Sequence, residues 1–127
     1  MIKFLWICLG GAVGTGARYL LSGWVLNLFG TSFPYSTLTV NVVGSFLIGV
    51  INYIGLSSEW ISPTLRIVLT IGVMGGFTTY SSFNYETLQY FQEGIWFLGI
   101  LNILVMMSSC LVVGVLGFVT AKWMLGS

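Results

Sequence analysis

The sequence predicts an all-α membrane protein with four transmembrane helices, and three observations predict it. Of the 127 residues, 57% are hydrophobic and only 6% are charged, whereas about a quarter of the residues in a soluble domain are charged. Four apolar stretches are long enough to cross a bilayer, which takes about 20 helical residues. The five tryptophans fall near the ends of these stretches, where indole rings meet lipid headgroups. They are Trp6, Trp24, Trp60, Trp96 and Trp123.

The four spans are predicted at residues 3–29, 35–56, 64–91 and 95–125, and together they form one transmembrane domain, residues 1–127. Pro34 and Pro63 stand at the starts of two spans, where a missing N–H costs nothing, and Ser62 is placed to cap the third. Lys3 and the apolar run after it imitate a signal peptide, but no A-x-A cleavage site follows. We therefore expect the first span to be retained.

Small residues recur every fourth position in the first two spans, which lets membrane helices approach closely. We expect these residues to pack helix against helix. They are Gly10 with Gly14, Ala12 with Gly16, and Ser45 with Gly49.

Composition argues against several classes of function. Only four Lys and Arg residues are present and they are scattered, which disfavours nucleic acid as a partner. The chain has no histidine and no Cys-x-x-Cys, which disfavours zinc or iron. Cys8 and Cys110 lie in apolar runs and are interpreted as buried small hydrophobes rather than a disulfide or metal pair. No nucleophile–base pair or ATP-binding motif is found, so we do not expect an enzyme.

Charge gives only a weak orientation. Lys3, Arg66 and Lys122 fall on the side of the termini and Glu86 and Glu93 toward the other side, which favours cytoplasmic termini. The margin is about three charges, small enough to allow insertion in both orientations.

The third span carries an unusual polar stretch. Gly75 and Gly76 are followed by the hydroxyls of Thr78, Thr79, Ser81 and Ser82. Glycine weakens a helix, so we expect the helix to open at Gly75–Gly76, near the middle of the span. Broken backbone at membrane depth is tolerated only inside protein or along a polar path. The stretch therefore marks an ion or substrate path, or a polar seam buried in protein.

Three motifs carry a resemblance to a known family. Residues 75–83, GGFTTYSSF, resemble the GGxTTFSTF signature of the CrcB/Fluc fluoride channels, through which fluoride leaves bacterial cells. Residues 10–19, GGAVGTGARY, are similar to the family's GGxxGxxxR, and residues 37–46, TLTVNVVGSF, to its TLxVNxxGSF. The resemblance implies passive fluoride efflux through the bacterial inner membrane by a dual-topology, antiparallel dimer. It also implies a structural Na⁺ at the dimer centre, held by the backbone carbonyls of Gly75 and Thr78.

The same resemblance implies which side chains line the fluoride pore: Asn41, Tyr80, Ser81, Ser82 and Phe83. The family has phenylalanine at the first ring position, where this chain has Tyr80. Alternatives from the residues themselves stay open. Asn41 could serve an interhelical hydrogen bond, the two rings could be ordinary packing surface, and Ser82 could contact Glu86.

Two further features leave alternatives. Arg18 could snorkel to the surface, pair with a carboxylate, or attract anions into a vestibule. The fourth span departs from the family's polar track, because the best alignment offers Met106, Cys110 and Gly114 there. Ser108 and Ser109 lie beside that track and could face a pore or bond to their own helix.

Three functions are therefore weighed. The first is a fluoride channel. The second is a small multidrug-type antiporter, which needs a carboxylate deep in the membrane, whereas the glutamates lie toward span ends. The third is a non-conducting subunit of a heteromeric channel with a paralogous chain, an alternative that the altered fourth span leaves open.

Overall fold

The computed structural model describes residues 1–126, and no strand occurs in that part of the chain. Six helices follow one another, with a π-helical segment, Val68–Met74, between the third and fourth. The helices are α1 (Ile2–Phe29), α2 (Tyr35–Ser57), α3 (Pro63–Ile67), α4 (Gly75–Phe77), α5 (Tyr80–Gln92) and α6 (Trp96–Met124). Helices α1, α2 and α6 are each long and apolar enough to cross a membrane.

The third predicted span is present as two halves separated by a short break. The first half runs from Pro63 to Phe77 through α3, the π-helical segment and α4, and the second half is α5. The prediction of an all-α, multi-pass membrane protein with a broken third helix is confirmed. The antiparallel dimer stays a prediction.

The predicted helix starts are confirmed. The Ser62 hydroxyl accepts a hydrogen bond from the Leu65 N–H at 3.1 Å, and Pro63 is the first helical residue. Pro34 occupies the position immediately before α2. In both cases proline stands where no helical acceptor is available for an N–H, so its missing donor costs nothing.

Small residues bring the helices together in two pairs. Helix α1 packs along the first half of the third span, and α2 packs along α6. A Cβ at Gly14 would overlap the carbonyl oxygen of Val73, and one at Gly49 would overlap that of Gly114. The predicted packing role is thus confirmed for these two glycines. It is wrong for Gly16, which has open space around it.

The buried core is small, as expected for a bundle with much of its surface available to lipid. Val40, Met74 and Phe77 form its centre. Cys8 is exposed on α1, so the expectation that it is buried is wrong. Hydrophobic side chains of a membrane helix can face either lipid or the protein core. Hydropathy alone therefore does not distinguish the lipid-facing side of a helix from its buried side.

The π-helical segment was not anticipated from the sequence. It spans seven residues, whereas most π-helices are single turns inside α-helices. The Gly75 N–H, which follows it, donates to the carbonyls of Gly72 and Thr70. The π-helical segment ends at Met74, and α4, which leads into the break, begins at the next residue.

Candidate ion site at the broken third helix

The third helix breaks at Thr78 and Thr79, which have extended backbone angles (φ −89°, ψ 161° and φ −148°, ψ 118°). Gly75 remains helical, at φ −62° and ψ −37°. The expectation that the helix opens at Gly75–Gly76 is therefore wrong by about three residues. Gly76 serves a close approach instead, because a Cβ there would overlap the carbonyl oxygen of Gly11 on α1.

The two threonines end one half-helix and begin the next. The Thr78 N–H and Oγ1 both donate to the Met74 carbonyl, each at 2.9 Å, which completes the end of α4. The Thr79 Oγ1 accepts the N–H of Ser82 at 3.2 Å and caps the start of α5. Threonine suits both positions, since β-branched residues favour extended backbone and hydroxyls make good N-caps.

Asn41 on α2 pairs with the backbone at the break. Its Oδ1 accepts the Thr79 N–H at 2.8 Å, and its Nδ2 donates to the Thr79 carbonyl at 2.9 Å. The remaining Nδ2 hydrogen is directed toward the sulfur of Met106, with Nδ2 and Sδ 3.5 Å apart. The interhelical hydrogen bond weighed for Asn41 is thus present.

Arg18 on α1 contacts the half-helix that leads into the break. Its Nε donates to the Gly76 carbonyl at 3.0 Å. A cation near the last carbonyls of a helix interacts favourably with the helix dipole, and here it faces the end of α4. Arg18 thus binds a backbone carbonyl, whereas one of the alternatives predicted for it was pairing with a carboxylate.

The carbonyls around the break differ in what they can still bind. Those of Met74, Gly76 and Thr79 accept the hydrogen bonds just described. The Thr79 and Ser82 N–H groups, which in a continuous α-helix would donate to Gly75 and Thr78, donate to side chains instead. The carbonyls of Gly75 and Thr78 therefore do not receive these helical donors. Gly75 is also exposed on the surface of the chain.

Two aromatic rings follow the break. The ring centroids of Tyr80 and Phe83 lie 5.6 Å apart, with their planes inclined at 59°. Phe83 is buried, whereas Tyr80 is 72% exposed. Both rings line a groove of about 430 Å³, the sulfur groove, which is also lined by Asn41, Thr78, Met74, and Met106, Met107 and Cys110 of α6. The two rings and the pore asparagine implied by the resemblance are therefore neighbours.

The two predicted pore serines lie in different surroundings. Ser82 is half-buried, and its Oγ accepts a hydrogen bond from Thr79 Oγ1 at 3.1 Å. Ser81 is exposed and lies outside the groove lining. The contact weighed between Ser82 and Glu86 is absent among the described residues. The Glu86 Oε2 accepts from the Thr37 hydroxyl at 3.1 Å, and its Oε1 has no hydrogen-bond partner among those residues.

The face of α6 toward the break carries sulfur rather than hydroxyls. Met106 is 4% exposed, and its Sδ lies 3.8 Å from the Cys110 Sγ. Ser108 and Ser109 bond to the carbonyls of their own helix, which was one of the two alternatives for them. Met106 and Cys110, which the alignment placed at the family's polar positions, therefore lie on the face of α6 that contacts Asn41.

Asn102 was missed in the sequence. It is fully buried, and its Nδ2 donates to the Thr87 hydroxyl at 2.9 Å. Its Oδ1 has no hydrogen-bond partner among the described residues. The sequence did contain a signal for Asn102, because its amide lies within a strongly apolar span, four residues before Met106. An amide within an apolar span is also the feature that selected Asn41.

Comparison with known proteins gives consistent matches over nearly the whole chain. The sequence profile of the family described as "CrcB-like protein, Camphor Resistance (CrcB)" matches residues 5–118. A protein of Sorangium cellulosum named "Fluoride-specific ion channel FluC" is 54% identical over 122 residues, covering 96% of each chain. Proteins with the same name from Anaeromyxobacter sp. strain K and Geotalea uraniireducens are each 48% identical, covering 99% and 96% of this chain and 100% and 98% of their own.

Proposed function

The chain belongs to the CrcB-like family, and from that membership we propose that it is a fluoride channel through which fluoride leaves the cytoplasm passively. The observation that carries the proposal is the pairing of Asn41 with the broken third helix beside the rings of Tyr80 and Phe83. This family is one of ion channels and not of enzymes. We place the channel in the bacterial inner membrane.

The direction of transport follows from the chemistry of the substrate. Hydrogen fluoride crosses lipid as a neutral molecule and dissociates in the less acidic cytoplasm, where its charge traps the anion. A membrane potential that is negative inside favours anion efflux by about 2.3 kcal/mol per charge per 100 mV. A channel therefore suffices, and no coupling ion or ATP is needed.

We propose that two copies inserted in opposite orientations form the channel. Their two-fold axis lies in the membrane plane, so only groups near mid-depth meet their own counterparts. The break is suitably placed, since Pro63 to Phe77 and the 13 residues of α5 are segments of similar length. The exposure of Gly75 next to the break supports a contact there between the two copies.

A structural Na⁺ at that contact fits the carbonyl groups on both chains. The carbonyls of Gly75 and Thr78 lose their helical donors, and two copies would offer four such oxygens. Unwound backbone carbonyls are ligands that membrane proteins use for Na⁺. A cation bound there would balance the partial negative charges of the carbonyl oxygens at the break and hold the two copies together.

Fluoride would be recognised by ring edges and by the donors not used at the break. The edge of an aromatic ring is positive, so Tyr80 and Phe83 can favour a small anion without a fixed cation that would trap it. One Nδ2 hydrogen of Asn41 faces only the Met106 sulfur, a weak acceptor that fluoride can replace. The Ser82 hydroxyl accepts from Thr79 and so keeps its own hydrogen for an anion.

The remaining pore residues play supporting parts in this proposal. Ser81, exposed beside Tyr80, would add a hydroxyl donor from the outer face of α5. Arg18 holds the Gly76 carbonyl, and its charge would also raise the local concentration of anions near the pore.

A second candidate function rests on a specific observation. Along the α6 side of the groove, Met106 has no hydrogen-bond donor, and the Cys110 thiol is a weak donor that points to the Met106 sulfur. A chain of this kind could serve as the non-conducting half of a heteromeric channel, with a paralogous subunit providing the open pore. An antiporter is less well supported, since it needs a carboxylate deep in the membrane, and the most buried glutamate, Glu86, lies in α5, the second half of the broken span, toward the end of that span.

Efflux measured with fluoride- and chloride-selective electrodes, together with a pH probe, distinguishes these functions. The purified chain is reconstituted into liposomes loaded with potassium fluoride or potassium chloride, and valinomycin starts efflux. We expect rapid fluoride release that exceeds chloride release at least tenfold and that needs no proton gradient. Efflux only after a paralogous subunit is added supports the heteromer, and proton-coupled cation exchange supports the antiporter.

A further inference from the structure

The sulfur groove contains a cluster of soft metal ligands that fluoride permeation does not use. Cys110 and Met106 stand one helical turn apart on α6, with their sulfurs 3.8 Å from each other. Met74 and Met107 line the same groove of about 430 Å³. One thiol and three thioethers therefore line one cavity.

We infer that Met106 and Cys110 bind a soft monovalent metal ion, Cu⁺ or Ag⁺, in this groove. Thiolate and thioether sulfurs select Cu⁺ over hard cations such as Mg²⁺ and Ca²⁺. Zinc is a poor fit, because it takes four ligands and the described residues contain no group of three His, Cys, Asp or Glu side chains. Ions that accept two or three sulfur ligands match what this groove provides.

The sulfur spacing suits such an ion. With metal–sulfur bonds of about 2.3 Å, two sulfurs 3.8 Å apart subtend an angle of about 110° at the metal. That angle leaves a third coordination position free, and Met74 and Met107 line the same groove. When the Cys110 thiol binds, its proton is released to solvent as the metal–sulfur bond forms, and no oxidant or reductant takes part.

Metal binding would also be felt at the break. The Met106 sulfur lies 3.5 Å from Asn41 Nδ2, so a metal ion on that sulfur competes with the amide for it. The ion would also occupy the groove that contains Phe83 and Tyr80. We therefore expect the bound metal to block fluoride efflux. The block rests on the proposed function, whereas the metal site does not.

The test uses Ag⁺ with nitrate as counter-ion, since silver chloride is insoluble. Cys8 is first replaced in every protein by Cys8→Ser, which removes the exposed second thiol. Silver retained per chain after desalting is measured by elemental analysis, and fluoride efflux is measured in the same proteoliposomes. We expect about one silver ion per chain and at least a tenfold slower efflux at saturation.

Two variants locate the site. Cys110→Ser should lose the retained silver, and Met106→Leu should raise the half-saturating Ag⁺ concentration about tenfold, which corresponds to about 1.4 kcal/mol. Met124→Leu is the matched control, the same substitution at an exposed end of α6, and should change neither value. Because the Leu variant keeps the volume of the side chain, it tests the site even where Cys110→Ser disturbs folding.

The outcomes separate the two proposals. Silver retention that survives Cys110→Ser unchanged, or that is absent from the starting protein, overturns the metal site. Retention that depends on Cys110 and Met106 supports the site. If efflux then continues at full rate with silver bound, the metal site stands and the proposed route of fluoride through this groove is contradicted.

Discussion

The side-chain amide of Asn41 pairs with both backbone groups of Thr79, accepting the N–H at 2.8 Å and donating to the carbonyl at 2.9 Å. One side chain thus replaces the partners that the backbone loses where the helix breaks. The break is consequently a defined structure rather than a loose joint. It is held from α2 by Asn41 and from α1 by Arg18.

Replacing Asn41 with alanine should destabilise the protein. Each unpaired buried polar group costs about 1–3 kcal/mol, so we expect Asn41→Ala to lower the free energy of unfolding by about 2 kcal/mol or more. Unfolding in mixed micelles with increasing SDS measures the change. Asn84→Ala is the control, because Asn84 is exposed on α5. An equal effect of the two substitutions would show that the amide pairing contributes nothing.

Arg18 should act mainly through its bond to the Gly76 carbonyl. We expect Arg18→Gln to slow fluoride efflux by a similar factor at low and high ionic strength, since a hydrogen bond at a half-buried site is screened by salt much less than exposed charges are. If the guanidinium instead acts by attracting anions, salt will screen it, with a Debye length of about 10 Å at 0.1 M and 3 Å at 1 M. A defect that disappears at high salt would therefore contradict the structural role.

The two glycines Gly76 and Gly16 should respond in opposite directions to alanine. A Cβ at Gly76 would overlap the Gly11 carbonyl oxygen, whereas Gly16 has nothing within 4 Å of that position. We expect Gly76→Ala to destabilise the protein by about 1–3 kcal/mol and Gly16→Ala to be neutral or stabilising by up to about 1 kcal/mol. The same SDS titration measures both. A stable Gly76→Ala protein would mean that α1 and α4 are further apart than described.

The cap at the start of α5 should depend on a hydroxyl at position 79. Thr79→Val keeps the branched shape but loses the oxygen that accepts the Ser82 N–H, so we expect a loss of about 1 kcal/mol. Thr79→Ser restores the acceptor and should recover most of that loss. Equal stability of the Val and Ser variants would indicate that the branched shape, and not the cap, sets the break.

Much of the fold could be predicted from the sequence because hydropathy and helix starts are local signals. Pro34, Ser62 and Pro63 mark boundaries whose chemistry does not depend on the rest of the chain. The position of the break could not be derived in the same way. Gly76 allows close contact with α1 and does not open the helix. A glycine in the sequence is compatible with either role, so its presence alone does not locate the break.

The candidate site shows the same division between local and long-range information. Tyr80 and Phe83 are neighbours because they lie one helical turn apart, which the sequence reveals. The partners of Asn41 and Arg18 lie 38 and 58 residues away along the chain, and no local pattern specifies them. The exposed Cys8 and the buried Asn102 were missed for a related reason, because hydropathy does not tell which helix face meets lipid.

The central claim is that two oppositely inserted copies meet at the break. Disulfide cross-linking of single-cysteine variants, made after Cys8→Ser and Cys110→Ser, tests it most directly. Gly75→Cys should be accommodated, since its Cβ would meet only an oxygen at 3.8 Å. Leu65→Cys and Gln89→Cys, exposed toward the two ends of the same broken span, serve as controls.

In an antiparallel dimer only a mid-depth residue meets its own counterpart. Mild oxidation in liposomes should therefore link two copies of the Gly75→Cys chain and leave the Leu65→Cys and Gln89→Cys chains as monomers on a denaturing gel. Cross-linked Leu65→Cys or Gln89→Cys chains, which a parallel pair would give, or no link at Gly75→Cys, would contradict the account.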